Sequence, residues 1–227
     1  MNLSGLKKAA ILFAILVLPS IAYLFLRTGK NQYKKLPIYG PKEVAVVAGN
    51  GYNPGDTIYH HIADFTFTTQ EGKPFGLKDL EGKIFVANFF FTTCQSICPK
   101  MTDQLYRVQE KFPAQRDLRL LSFSVDPQDD SVPALQAYAK KHMVNPMKWK
   151  LLTGNKKDIY ALSRNSFFAV TSEGDGGQDD FIHSDRMLLI DKDKRIRGIY
   201  DGTDPLEVDR LIDEIKVLEV EYKAQGK

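Results

Sequence analysis

KIFVANFFFTTCQSICPKM, residues 83–101, contains both cysteines of this 227-residue chain, Cys94 and Cys98. Its first half, Lys83–Phe91, is a continuous apolar run rich in Phe and Val, the pattern of a strand buried on both faces. Its second half leads into Pro99–Phe112, where Met101, Leu105, Val108 and Phe112 recur at spacings of three and four, the mark of a helical face. The cysteines therefore fall at a strand-to-helix junction. Pro99 suits the first helical turn, where its missing N–H would be unpaired anyway.

Outward from this point the pattern repeats. Leu118–Val125 (LRLLSFSV) reads as a second buried strand and Trp149–Gly154 (WKLLTG) as a third. Helices are expected from about Val132 to His142 and, capped by Asn155, to about Asn165. Before the first strand, Phe65–Thr69, QEGK and PFGL form a predicted hairpin. After the third, RMLLID and RIRGIY flank KDK as another hairpin. Asp204-Pro205 then opens a last helix running to about Tyr222, with Asp at the cap and Pro in the first turn. The order is hairpin, βαβαβα, hairpin, helix. Short strand–helix–strand links require parallel pairing and right-handed crossovers, so the sheet is covered on both faces. A cysteine pair after the first core strand, at a helix N-terminus, is the thioredoxin arrangement. The expected fold class is α/β, thioredoxin-like with an added N-terminal β-hairpin, preceded by one transmembrane helix.

That helix is Ala9–Leu26, AAILFAILVLPSIAYLFL, which carries no charge over eighteen positions. At ~1.5 Å per residue it would be roughly 27 Å long, close to the ~30 Å hydrocarbon core. A cleaved signal peptide has a shorter apolar stretch and a small-residue exit, and RTGKNQYKK follows here instead. Lys7 and Lys8 precede the run and Arg27, Lys30, Lys34 and Lys35 follow it, so flanking charge leaves the orientation open. The expected organisation is a tail over 1–8, an anchor over 9–26, a Gly- and Pro-punctuated linker over 27–56 with a short strand at EVAVVA, and one domain over 57–227. Ser172–Asp180, SEGDGGQDD, reads as a solvated loop. A net charge of +3 without a basic block interleaved with aromatics argues against nucleic-acid binding.

Helix N-terminal N–H groups favour thiolate over thiol, and thiolates are soft ligands that select Cu(I) or zinc. A pair alone is an incomplete site. Of the four histidines, His183 is the candidate third ligand, because it precedes the strand of the second hairpin. His60 and His61, being adjacent, point to opposite faces of a strand and read as surface residues at the domain entrance. His142 reads as a cation at a helix C-terminus. Asp126, in VDPQDD, is either a turn former before Pro127 or an acidic neighbour of the site. The bland alternatives are an inert buried cysteine pair and a structural histidine.

These segments together resemble the Sco/SenC copper proteins. NFFFTTCQSICPKM is similar to the family's C-x-x-x-C-P segment, LRLLSFSVDPQDDSVPALQAYAKKH to its strand, D-P turn and helix, and FIHSDRMLLIDKDKRIRGIYDG to the segment holding its metal-binding histidine. The resemblance spans about Thr57–Tyr222. It implies copper bound by Cys94, Cys98 and His183, with Asp126 near the metal. It also implies a single-pass anchor in the inner (cytoplasmic) membrane with the domain on the extracytoplasmic side. The implied role is building the dinuclear copper centre of cytochrome c oxidase. Implied partners are the oxidase subunit that carries this copper, a copper donor protein and a thioredoxin-like reductant. Two departures stand out: Gln95 where the family often has Pro, and Asp129 where Arg is usual. A second reading is a thiol–disulfide oxidoreductase in which Cys94 and Cys98 form the redox-active pair. A peroxidase of this fold lacks support, since Gln95-Ser96 offers no peroxide-activating Arg.

Overall fold

The computed structural model describes residues 3–28, 35–47, 51–170 and 184–226. Two compact units divide at Lys34/Lys35. The first holds one helix, α1 (Leu3–Thr28), with Pro19 inside it. The Ser20 hydroxyl donates to the Leu16 carbonyl at 2.8 Å. Ile11, Leu12, Phe13, Ile15 and Leu16 are among its exposed apolar side chains. Among the described residues, no helix is long and apolar enough to cross a membrane. Within the uncharged run, the described side chains are those of 11–24.

The second unit contains β1 (Lys42–Val44), β2 (Thr57–Tyr59), β3 (Thr66–Thr69), β4 (Pro74–Gly76), β5 (Ile84–Phe90), α2 (Ile97–Lys111), β6 (Leu118–Ser124), α3 (Val132–Lys141), β7 (Trp149–Thr153), α4 (Lys156–Asn165), β8 (Arg186–Ile190), β9 (Ile196–Asp201) and α5 (Pro205–Ala224). Among the described residues, seven strands form one sheet in the order β4-β3-β7-β6-β5-β8-β9. β5, β6 and β7 are parallel, and the outer strands pair antiparallel. From β3 to α5 this is the expected mixed α/β order of hairpin, βαβαβα, hairpin and helix, while β2 was not expected.

The central position of β5 follows from its composition. All seven of its residues are buried. Ile84, Val86 and Phe90 meet Met101, Leu105 and Val108 of α2, Leu135 and Tyr138 of α3, and Leu211 and Ile215 of α5. Phe85, Ala87 and Phe89 point the other way, into a layer with Phe65, Phe123 and Phe167 and with Ile159 and Leu162 of α4. Each such side chain contributes about 1.5–3 kcal/mol on burial, so a seven-residue run facing two layers fixes the middle of the sheet. Asn88 is the one polar residue in the strand. It accepts from the Ser122 hydroxyl at 2.6 Å, which in turn accepts from Trp149 Nε1 at 2.9 Å.

The helix caps follow the sequence. Asn155 accepts from the N–H groups of Lys157 and Asp158, and Asp204 accepts from that of Leu206. The stretch expected as a free linker behaves differently. β1 pairs antiparallel with β2, and the Tyr39 N–H donates to the Ile196 carbonyl at 2.9 Å. Arg197 donates to the carbonyls of Leu36 and Pro37, and the Leu36 N–H donates to Glu221 at 2.7 Å. From Lys35 onward the segment is therefore fastened to the domain. Gly and Pro punctuation cannot reveal this, because the bonds use backbone carbonyls that any residue type supplies.

Candidate metal centre

β5 ends at Phe90, and the loop that follows delivers Cys94 beside the first turn of α2, in which Cys98 sits. Cys94 is 9% exposed and Cys98 3%, and both are free thiols. Ser96 takes the N-cap position of α2 without a capping side-chain bond. The orphan N–H groups of the first turn are thus available to sulfur. Burial pushes the Cys94 thiol up, but hydrogen bonds from the Cys98 and Ser96 N–H groups, and from the Cys98 and Ser96 side chains, outweigh it. The result is a pKa lowered to about 7. The Ser96 hydroxyl lies 3.6 Å from Cys94 Sγ.

Cys98 behaves oppositely. Burial pushes its thiol up to about 12. The Phe91 N–H opposes this, while the negative charges of Cys94 and Asp130 add to it. The helix N-terminus was expected to favour thiolate at both sulfurs. It does so only for Cys94; at Cys98 burial outweighs the hydrogen bond from the Phe91 N–H.

A residue that sequence reasoning passed over holds this loop. Asp130 is fully buried, and its carboxylate accepts from the Thr92 N–H at 3.1 Å to Oδ1, from the Thr92 hydroxyl and from the Ser124 hydroxyl. It ties the start of the cysteine loop to the end of β6. The signal available in the sequence was a third acid in DPQDDS, near a Thr and a Ser at the ends of two parallel strands. Asp126 lies in the same turn and is partly exposed. Burial, with Asp129 and Asp130 adding, holds its carboxyl above the usual range, against Lys156 and the Asp129 N–H. Its own N–H donates to Ser124 Oγ at 3.1 Å.

His183 lies outside the described residues, as do Ser172–Asp180. The next residue, Ser184, is buried and donates to the Ala169 carbonyl at 2.9 Å. Ser184, Phe90, Phe91, Ile97, Cys98 and Val125 close around one gap too small for a water. The strand that follows His183 therefore starts against the wall behind Cys98. Among the described residues, no group of three or more His, Cys, Asp or Glu could hold a metal ion.

The other histidines stand elsewhere. His60 Nε2 sits 2.8 Å from the Ser166 carbonyl, and its ring lies against Phe168. His61 is exposed. His142 caps α3, but the expectation of a cation there is corrected: burial, with Lys141 adding and Asp103 opposing, lowers its pKa.

A family model described as SCO1/SenC matches residues 55–218. A SCO1/SenC family lipoprotein from Bacillus anthracis str. Ames is 36% identical, with TM-score 0.63 over 70% of this chain and 95% of that one. BsSco, described with a disulfide switch and as a member of the Sco family of cytochrome c oxidase assembly proteins, is 32% identical, with TM-score 0.61 over 71% and 94%. Arabidopsis thaliana ScoI, solved with copper bound, is 26% identical, with TM-score 0.55 over 70% and 97%. The match covers the cysteine loop, the D-P turn and the closing hairpin in one thioredoxin-like frame, and the chain belongs to the SCO1/SenC family.

Proposed function

We propose that this protein is a membrane-anchored copper metallochaperone for assembly of the dinuclear copper centre of cytochrome c oxidase. Copper is held by the thiolates of Cys94 and Cys98 and the imidazole of His183. The observation that carries this reading is the tight packing of Ser184 and Cys98 around one dry gap, which brings the residue after His183 to the wall of the cysteine site. Two thiolates and one imidazole form a soft, three-coordinate set suited to copper in either oxidation state. Asp126 and Asp130 place acidic groups behind the loop, and Asp130 sets its shape. Copper in Arabidopsis ScoI and the oxidase-assembly role of the family to which BsSco belongs support the same cargo and client.

The uncharged run Ala9–Leu26 lies within α1 and serves as the single-pass anchor in the inner membrane. The domain, over 57–227 with the fastened segment from Lys35, faces the extracytoplasmic side. Its partners there are the copper-bearing oxidase subunit, a copper donor and a thioredoxin-like reductant. The test is a competition titration of the fully reduced chain with Cu(I). One Cu(I) per chain, with most of the affinity lost in Cys94→Ser and in Cys98→Ser, supports the proposal, and absence of uptake sinks it.

One observation favours a second reading, thiol–disulfide oxidoreductase. Cys94 at about 7 and Cys98 at about 12 are split as an attacking thiolate and a buried partner thiol are split. The disulfide switch described for BsSco points the same way. Oxidase copper-centre assembly in cells carrying His183→Ala separates the two: normal assembly ranks exchange first, and impaired assembly with intact exchange ranks copper delivery first.

A further inference from the structure

Two of the four described methionines, Met101 and Met187, are fully buried, as an apolar side chain should be. The other two are not. Met143 is 64% exposed and Met147 79% exposed, and both lie in the single loop that joins α3 to β7. Immediately before Met143 comes His142.

The loop backbone makes Met143 harder to explain as a filler. α3 ends in a Schellman motif: the Val144 N–H donates to the Ala139 carbonyl at 2.9 Å and the Met143 N–H to that of Lys140 at 3.4 Å. Met143 occupies the left-handed position of that motif, with φ 54°, where glycine is strongly favoured and a side chain is strained. Little packing offsets the strain, since Met143 is mostly exposed. Gln109 of α2 then clamps the same loop from both sides, donating to the Met143 carbonyl at 3.1 Å and accepting from the Asn145 N–H at 2.8 Å. The His142 ring is held against Tyr138, with centroids 4.3 Å apart. A fixed backbone thus presents one imidazole and two thioethers within six residues of sequence.

Thioether and imidazole are the neutral ligands that suit Cu(I), and neither needs a proton removed from a thiol. We propose that His142, Met143 and Met147 form a second, weaker Cu(I) site on the loop between α3 and β7. It is separate from the cysteine centre. With neutral ligands only, it holds the ion less tightly than two thiolates do, and so suits reception of copper rather than storage. Its existence does not depend on the ligand set proposed for Cys94, Cys98 and His183.

The test uses the full chain in detergent, reduced and anaerobic, in a Cys94→Ser/Cys98→Ser/His183→Ala background that removes the first site. Methionine methyl groups are labelled with carbon-13, and the sample is titrated with Cu(I) supplied as its acetonitrile complex. The Met143 and Met147 methyl signals should shift together and saturate at one Cu(I) per chain, while those of Met101 and Met187 stay in place. Met143→Gly provides the decisive variant. It relieves the left-handed strain and so keeps the fold, yet it should abolish the saturable shift at Met147. If neither methionine responds, if only one does, or if the response at Met147 survives Met143→Gly, the proposal is overturned.

Discussion

The carboxylate of Asp130 grips Thr92 twice, taking its N–H at 3.1 Å and its hydroxyl, two residues before Cys94. The same carboxylate takes the Ser124 hydroxyl at the end of β6. The start of the cysteine loop is therefore tied to the end of β6 by a buried carboxylate.

Asp130→Ala removes the fully buried carboxylate to which the half-buried Thr92 N–H and the Ser124 hydroxyl donate. A hydrogen bond to a charged acceptor contributes roughly 1.5–3 kcal/mol, and a stranded donor costs a similar amount, so the loss should be about 3 kcal/mol. Asp130→Asn keeps an acceptor for Thr92 and should lose about half as much. Urea denaturation of the reduced chain measures both. Equal stability of the alanine and asparagine variants would show that the Thr92 bonds are not what Asp130 contributes.

Cys94 should be the thiol that reacts. Its pKa, lowered to about 7, leaves the thiolate populated from neutral pH upward, whereas Cys98, raised to about 12, stays a thiol across the accessible range. Alkylation of the reduced, metal-free protein should rise through half-maximum near pH 7 at Cys94 and remain slow at Cys98. Peptide mapping after timed iodoacetamide treatment reads the two sites separately. Comparable rates at both sulfurs at pH 7 would contradict the split.

How far the sequence carries is visible in particular elements. β5 was legible because seven consecutive buried residues leave an almost wholly apolar run, and β6 because its last five residues are all buried and carry Leu120, Leu121 and Phe123. The caps at Asn155 and Asp204 were legible because their side chains act on their own neighbours. Asp130 was not, since its partners Thr92 and Ser124 come together only when β5 and β6 pair in parallel. Nor was the opposite shift of the two cysteines, which depends on the balance of burial and hydrogen bonds at each sulfur. The lowered pKa of His142 was missed for a related reason: the helix C-terminus favours a cation, but burial, with Lys141 adding, acts against it.

His183→Ala should weaken Cu(I) binding less than either cysteine change, because two thiolates remain and imidazole is neutral. Dithiol–disulfide exchange should stay near its original rate, since that step needs only the sulfurs. Competition titration and an exchange assay on the same preparation check the pair. An exchange rate that collapsed with affinity would assign His183 a part in thiol chemistry.

Arg197 decides whether the segment after α1 stays fastened to the domain. It is 5% exposed, and its guanidinium donates to Asp191 at 3.1 Å, to Glu221 at 2.8 Å, and to the carbonyls of Leu36 at 2.8 Å and Pro37 at 3.0 Å. Arg197→Met fills much the same volume but strands two acids, one of them, Asp191, fully buried. Breaking a buried pair from one side costs about 3–5 kcal/mol. Arg195 still pairs with Asp191, which places the expected loss at the lower end of that range. The carbonyls of Leu36 and Pro37 lose their donors at the same time, so the segment should detach before the domain unfolds. Brief trypsin treatment should then cut after Lys35 and Lys42 in Arg197→Met while the original chain resists. The core peptides from β5 to β7 should survive in both. Equal protection of Lys35 and Lys42 in the two proteins would mean that the Tyr39–Ile196 bridge and the β1–β2 pairing hold the segment without Arg197.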